Sequence, residues 1–148
     1  MRKLILASLI AAIPAIALAN AAEDAIEARE GYMKMLAINM ATLAGMAKGD
    51  IAYDAAAATT AGDNIEALSK YALPDLFIPG TSPADGVDTE ATAAVWENSA
   101  DFGTKFAGLQ EAAAGAGAAV GGGQDAIGPV LQKLGGACKA CHDTYRKE

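Results

Sequence analysis

The 148-residue sequence predicts an all-α domain, an antiparallel four-helix bundle, and three observations carry that prediction. The composition is rich in Ala, with 5% aromatics and only scattered β-branched residues, which favours helices. No segment alternates apolar and polar residues between hairpin turn signals. Three long stretches instead repeat apolar residues at alternating intervals of three and four, the spacing that lays one stripe of a helix against a core.

The N-terminus reads as processing signal rather than bundle. Met1-Arg2-Lys3 gives a short positive start, and Leu4 to Leu18 is an apolar run broken only by Ser8 and Pro14. Ala17-Leu18-Ala19 and Ala19-Asn20-Ala21 both offer an A-x-A cleavage pattern. Residues 1–21 are therefore expected to be a secretory signal peptide and 22–148 the mature domain, exported to the periplasm. The run is too short to cross a bilayer as a mature helix, so no stable membrane insertion is expected. Losing Arg2 and Lys3 leaves nine basic residues against 18 acidic ones, moving the formal charge from −7 to −9. No Lys/Arg-rich stretch remains to neutralise phosphates, which argues against nucleic acid as a partner. An acidic body favours solubility and steering toward basic partners.

The first helix is expected from about Glu23 to Lys48, with Ile26, Met33, Leu36, Met40, Leu43 and Ala47 on one seam and Arg29 filling its remaining slot. Gly49-Asp50 breaks it, and Asp50 is placed to cap a second helix running to about Ala72. Its inward set is Ile51, Ala58, Ala61, Ile65, Leu68 and Ala72. The stretch Ala55 to Thr60 is weakly apolar, so that face is thinly packed or lies against something large. Leu73 to Asp88, dense in Pro and Gly, reads as a long ordered loop with Leu76, Phe77 and Ile78 tucked onto the core. A third helix is expected from near Thr89, acting as its cap, with seam Val95, Ser99, Phe102, Phe106, Leu109 and Ala113. Gly115 to Gly123 reads as a flexible connection. The fourth helix spans about Gln124 to Arg146 with seam Ile127, Leu131, Leu134, Cys138, Cys141 and Tyr145. Two short connections and one long one make these four an antiparallel bundle.

The chemistry lies in Cys138-Lys139-Ala140-Cys141-His142, a C-x-x-C-H motif of the kind that attaches c-type haem. On a helix, residues i, i+3 and i+4 share a face. Two thiols so placed reach two vinyl groups on one porphyrin edge, while the imidazole stands beneath the iron as an axial ligand. The chain has two cysteines and one histidine, all three in this motif, and both cysteines fall on the inward seam. A dithiol redox site lacks its strand-to-helix setting, a zinc site lacks further ligands, and a disulfide within one helical turn leaves His142 unexplained. The reading is one haem c, covalently attached through Cys138 and Cys141, enclosed by the bundle. Arg29, a cation on a seam, needs an anionic partner.

The mature chain resembles the cytochrome c-prime family, the class II c-type cytochromes. The resemblance rests on Cys138 to Arg146 near the C-terminus, Arg29, the Ala47-Lys48-Gly49-Asp50 corner, Leu73-Pro74-Asp75-Leu76-Phe77, and Val95-Trp96 with Phe102. It implies His142 as the proximal ligand, Arg146 as a cation near the proximal haem face, and Arg29 beside a haem propionate. It also implies that the residue four positions after Arg29 faces the distal side, which here is Met33. A methionine at that point is expected to ligate iron, giving a six-coordinate single-electron carrier that exchanges electrons with periplasmic redox partners and does no bond chemistry on a substrate. Met40, two turns on, is the alternative methionine. The competing expectation is five-coordinate iron, with Met33 and Leu36 lining a pocket that binds or buffers nitric oxide and other small gases. The resemblance further implies homodimers formed through the first two helices, with Ala55 to Gly62 allowing close approach.

Overall fold

The computed structural model describes residues 13–147, with side chains described from residue 21. The signal-peptide assignment to 1–21 lies largely outside the described residues. Among the described residues six helices follow in order: α1 Ile13–Lys48, α2 Ala55–Ser69, α3 Ala94–Glu97, α4 Ser99–Ala113, α5 Ala116–Val120 and α6 Gln124–Tyr145. The long helices α1, α2, α4 and α6 form the bundle, with α1 packed on α2 and α6, and α4 packed on α6 and α2. Leu43, Ile65, Val120, Ile127 and Leu134 are at most 1% exposed and form the heart of the core. Each such side chain contributes roughly 1.5–3 kcal/mol by leaving water.

Helix boundaries depart from the sequence expectation where local hydrogen bonds take over. Asp54 caps α2, its Oδ1 accepting from the Ala57 N–H at 2.7 Å, and Asp50 does not. Gly49, at φ 79°, turns the chain at the end of α1, and the Ile51 N–H then donates to the Gly45 carbonyl at 3.1 Å. Ile51 is consequently folded over Gly45 and 47% exposed instead of facing inward, and Ala72 lies exposed beyond the end of α2. The third helix does not begin at Thr89. The Thr92 N–H donates to the Tyr145 carbonyl and the Lys147 N–H to the Glu90 carbonyl, so residues 90–92 clasp the end of α6. Helix resumes only at Ala94 and breaks again at Asn98, leaving Ser99 exposed.

The stretch expected to be a flexible connection contains α5, seated on α2. A Cβ on Gly62 would lie 2.6 Å from the Gly117 backbone, so the two helices meet at a distance only glycine permits. The weakly apolar face of α2 is explained by this close neighbour and not by a large one. The loop 73–88 is ordered, as expected, by two short 3-10 turns, Leu73–Leu76 and Pro83–Asp85. Leu76, Phe77 and Ile78 are half-buried there.

Candidate functional site

A cavity of about 640 Å³ opens between α1 and α4, with α6 forming its third wall. Volumes of this order suit a cofactor-sized ligand. Its lining is mostly apolar: Ile26, Leu36 and Met40 from α1, Leu73 and Phe77 from the loop, Phe102, Phe106 and Leu109 from α4. All six residues singled out from the sequence line it as well: Arg29 and Met33 from α1, and Cys138, Cys141, His142 and Arg146 from the last two turns of the chain. The clasp between residues 90–92 and 145–147 fixes that last turn.

Cys138 and Cys141 are half-buried and unbonded to each other, and burial pushes both thiols above the ordinary range. Burial lowers the His142 imidazole below its usual value, Arg146 lowers it further, and Asp143 opposes them. A neutral imidazole is the form that ligates a metal. Two thiols and one imidazole line this wall, and among the described residues no group of three or more His, Cys, Asp or Glu is placed to hold a metal ion by itself.

Arg29 is 5% exposed and bonds to Thr81, through Nη1 to the hydroxyl at 3.2 Å and through Nη2 to the carbonyl at 3.4 Å. Its guanidinium lies 4.7 Å from the Phe77 ring centre and 5.7 Å from that of Trp96. Among the described residues no carboxylate comes within ion-pair distance of it. The anionic partner required on sequence grounds is therefore not a side chain of the described residues. A buried cation facing a cavity is the complement of a carboxylate-bearing ligand, and with the paired thiols and imidazole the residues fit a haem.

Met33 is 37% exposed at the cavity and belongs to neither core cluster, whereas Met40 packs partly against the core. Met35 faces away, into a groove between α1 and α2. Arg146 is exposed and its Nε lies 3.9 Å from a Glu90 carboxylate oxygen. Tyr145 beside Cys141 donates to Asp101 at 2.7 Å, a bond that, with burial, pushes its phenol up to about 12. Sequence reasoning missed Thr81, Glu90 and Lys105; the last two also line the cavity. Nothing local marks Thr81, whose partner is 52 residues away.

The family profile described as Cytochrome C' matches residues 24–146. Cytochrome c' of Cereibacter sphaeroides is 44% identical over 146 residues, covering 99% of this chain and 98% of that protein. The solved structure described as cytochrome c' from Rhodobacter Spheriodes superposes with a TM-score of 0.80 at 42% identity, covering 86% of this chain and 98% of that one. A nitric oxide complex of a variant of cytochrome c prime from Alcaligenes xylosoxidans superposes with a TM-score of 0.73 at 29% identity, covering 86% and 97%.

Proposed function

The chain belongs to the cytochrome c' family, and from that premise we propose that it is an exported, periplasmic haem protein with His142 on one side of the iron and α1 facing the other. One haem c is attached through Cys138 and Cys141. Haem supplies a one-electron ferric/ferrous couple and, where its second axial position is open, a site for diatomic gases. The protein's part is to hold His142 neutral, to meet the carboxylates with Arg29, and to wall the distal side with Met33, Leu36 and Met40. Residues 1–21 are read as the leader removed on export.

The reading we favour is a five-coordinate protein that binds or buffers nitric oxide and similar gases. The observation behind it is the likeness to solved relatives that include a nitric oxide complex, together with a distal wall of apolar side chains. Met33 as sixth ligand is the second reading. It draws on one observation: this methionine lies at the cavity, exposed and unpacked, where a side chain filling the core would not be. In that case the molecule is a six-coordinate electron carrier serving periplasmic redox proteins. In either case it transforms no organic substrate.

The ferric optical spectrum separates the two. The favoured reading gives a high-spin spectrum, rapid carbon monoxide binding by the ferrous form, and a spectrum that Met33→Ala leaves in the same spin state. A methionine–iron charge-transfer band in the far red, lost in Met33→Ala with gain of carbon monoxide binding, decides for the second. We also read the exposed α1/α2 face, which carries Met35, Ile38 and Tyr71, as a homodimer surface.

A further inference from the structure

We propose that Thr81 is a positioning residue for the prosthetic group: it locks the Arg29 guanidinium in one orientation at the cavity wall and so fixes the charge that the haem iron feels. The inference rests on the haem reading above and concerns this chain's own residues.

Arg29 is held from three directions. Its Nη1 and Nη2 donate to the hydroxyl and the carbonyl of the same residue, Thr81, which is fully buried. The Thr81 hydroxyl spends its own proton on the Ile78 carbonyl at 2.7 Å, so its lone pairs are left to face Arg29. The Ile78 carbonyl also accepts from the Trp96 indole N–H at 3.2 Å, which ties the loop to α3. Phe77 and Trp96, edge to face at 5.6 Å, then supply the two rings near which the guanidinium lies. Loop, α3 and α1 thus close into one clamp.

A guanidinium has five N–H donors in a rigid fork. Two are engaged by Thr81, and the other donors of this cavity-lining residue have no protein acceptor among the described residues. An unclamped arginine would lower its burial cost by swinging its head toward water, as long cationic side chains do at a cavity mouth. Held in place, it is a fixed positive charge in a low-dielectric setting, where Coulomb interactions act at greater strength than at the surface. Fixed positive charge favours the ferrous state over the ferric one. Thr81 acts through Arg29, and this distinguishes positioning from packing.

The test is reductive titration of the holoprotein and its variants, followed optically. Arg29→Gln is expected to lower the reduction potential. Thr81→Val, nearly isosteric, is expected to lower it by more than half as much, and Thr81→Ser, which keeps the hydroxyl, to restore it. In the Arg29→Gln background, Thr81→Val is expected to add nothing, since the effects of independent residues add and those of coupled residues do not. A wild-type potential in Thr81→Val, or a full additive shift in the double variant, overturns the proposal. Should Thr81→Val not accumulate, Trp96→Phe removes the indole donor to Ile78 instead. A lowered potential that vanishes in the Arg29→Gln background supports the clamp, and an unchanged or additive one overturns it. Failure of the haem reading is seen separately, as protein without colour before any titration begins.

Discussion

Leu134 sits one helical turn before Cys138 and is fully buried in the main core cluster. It holds the face of α6 that carries the thiols against the bundle, while the attachment itself is covalent. Truncating a buried leucine removes transfer energy and leaves a cavity, about 2–5 kcal/mol in well-packed sites. Leu134→Ala should therefore lower the urea midpoint by a corresponding amount while the folded variant keeps its haem spectrum. A loss below about 1 kcal/mol would mean the site collapses around the gap. The thiols and the imidazole were legible from sequence because attachment chemistry demands a fixed local spacing, and a helix delivers it at three and four residues. Arg29 was half legible. Its place on an apolar seam marked it as a buried charge needing a partner, but Thr81, Phe77 and Trp96 come from segments far along the chain. No local pattern announces them.

At the scale of elements, the α2–α5 contact is the most demanding junction in the fold. A Cβ added at Gly62 meets the backbone of Gly117, and one at Gly121 meets the Thr59 hydroxyl at 2.6 Å. Backbone cannot rotate away as a flexible side chain can. Gly62→Ala should cost about 1–3 kcal/mol as forced overpacking, visible as a lower melting temperature. Gly103, inside α4, faces open space within 4 Å of its would-be Cβ. There Gly103→Ala should stabilise by about 0.5–1 kcal/mol through helix propensity alone. Opposite signs from the same chemical change would separate contact from propensity. This junction also explains what the sequence could not convey. Ala116–Val120 is too short and too uniformly small to show an amphipathic period, so its helicity comes from the neighbour it packs on. The long helices declared themselves because their apolar stripes persist over several turns. The start of α6 at Gln124 was legible too, but those of α2 and of the helix expected from Thr89 were not, since Asp54 and the clasp at residues 90–92 settle them through individual hydrogen bonds.

For the whole molecule the question is what covers the outer face of α1 and α2. Single exposed apolar side chains are ordinary on a soluble protein, but a contiguous set marks an interface. Here Met35, Ile38 and Tyr71 are 48%, 66% and 51% exposed, and Met35 and Tyr71 line a groove of about 760 Å³ between the two helices. The close-approach stretch Ala55 to Gly62 was the surface expected to serve a second copy. Ala58, Ala61 and Gly62 are buried, with α5 lying against Gly62, while Ala55, Ala56, Ala57 and Thr60 of the same stretch stay exposed, so in the proposed homodimer that stretch is only partly available and the neighbouring face would carry the rest. The heptad reading left that face out because its residues lie off the core seam. Two copies joined by a two-fold axis would each present the same patch, so one substitution acts twice. Ile38→Glu then places a charge from each copy on the proposed contact face and should convert a dimer into a monomer in sedimentation velocity at micromolar concentration. Ile51→Glu changes an equally apolar side chain, 47% exposed, that belongs to the corner after α1, folded over Gly45, and not to the stretch of α1 that carries Met35 and Ile38. It should leave the dimer intact. Equal sedimentation of wild type and Ile38→Glu would remove the assembly from this account and leave the haem site as it stands, because the cavity is walled by residues of one chain.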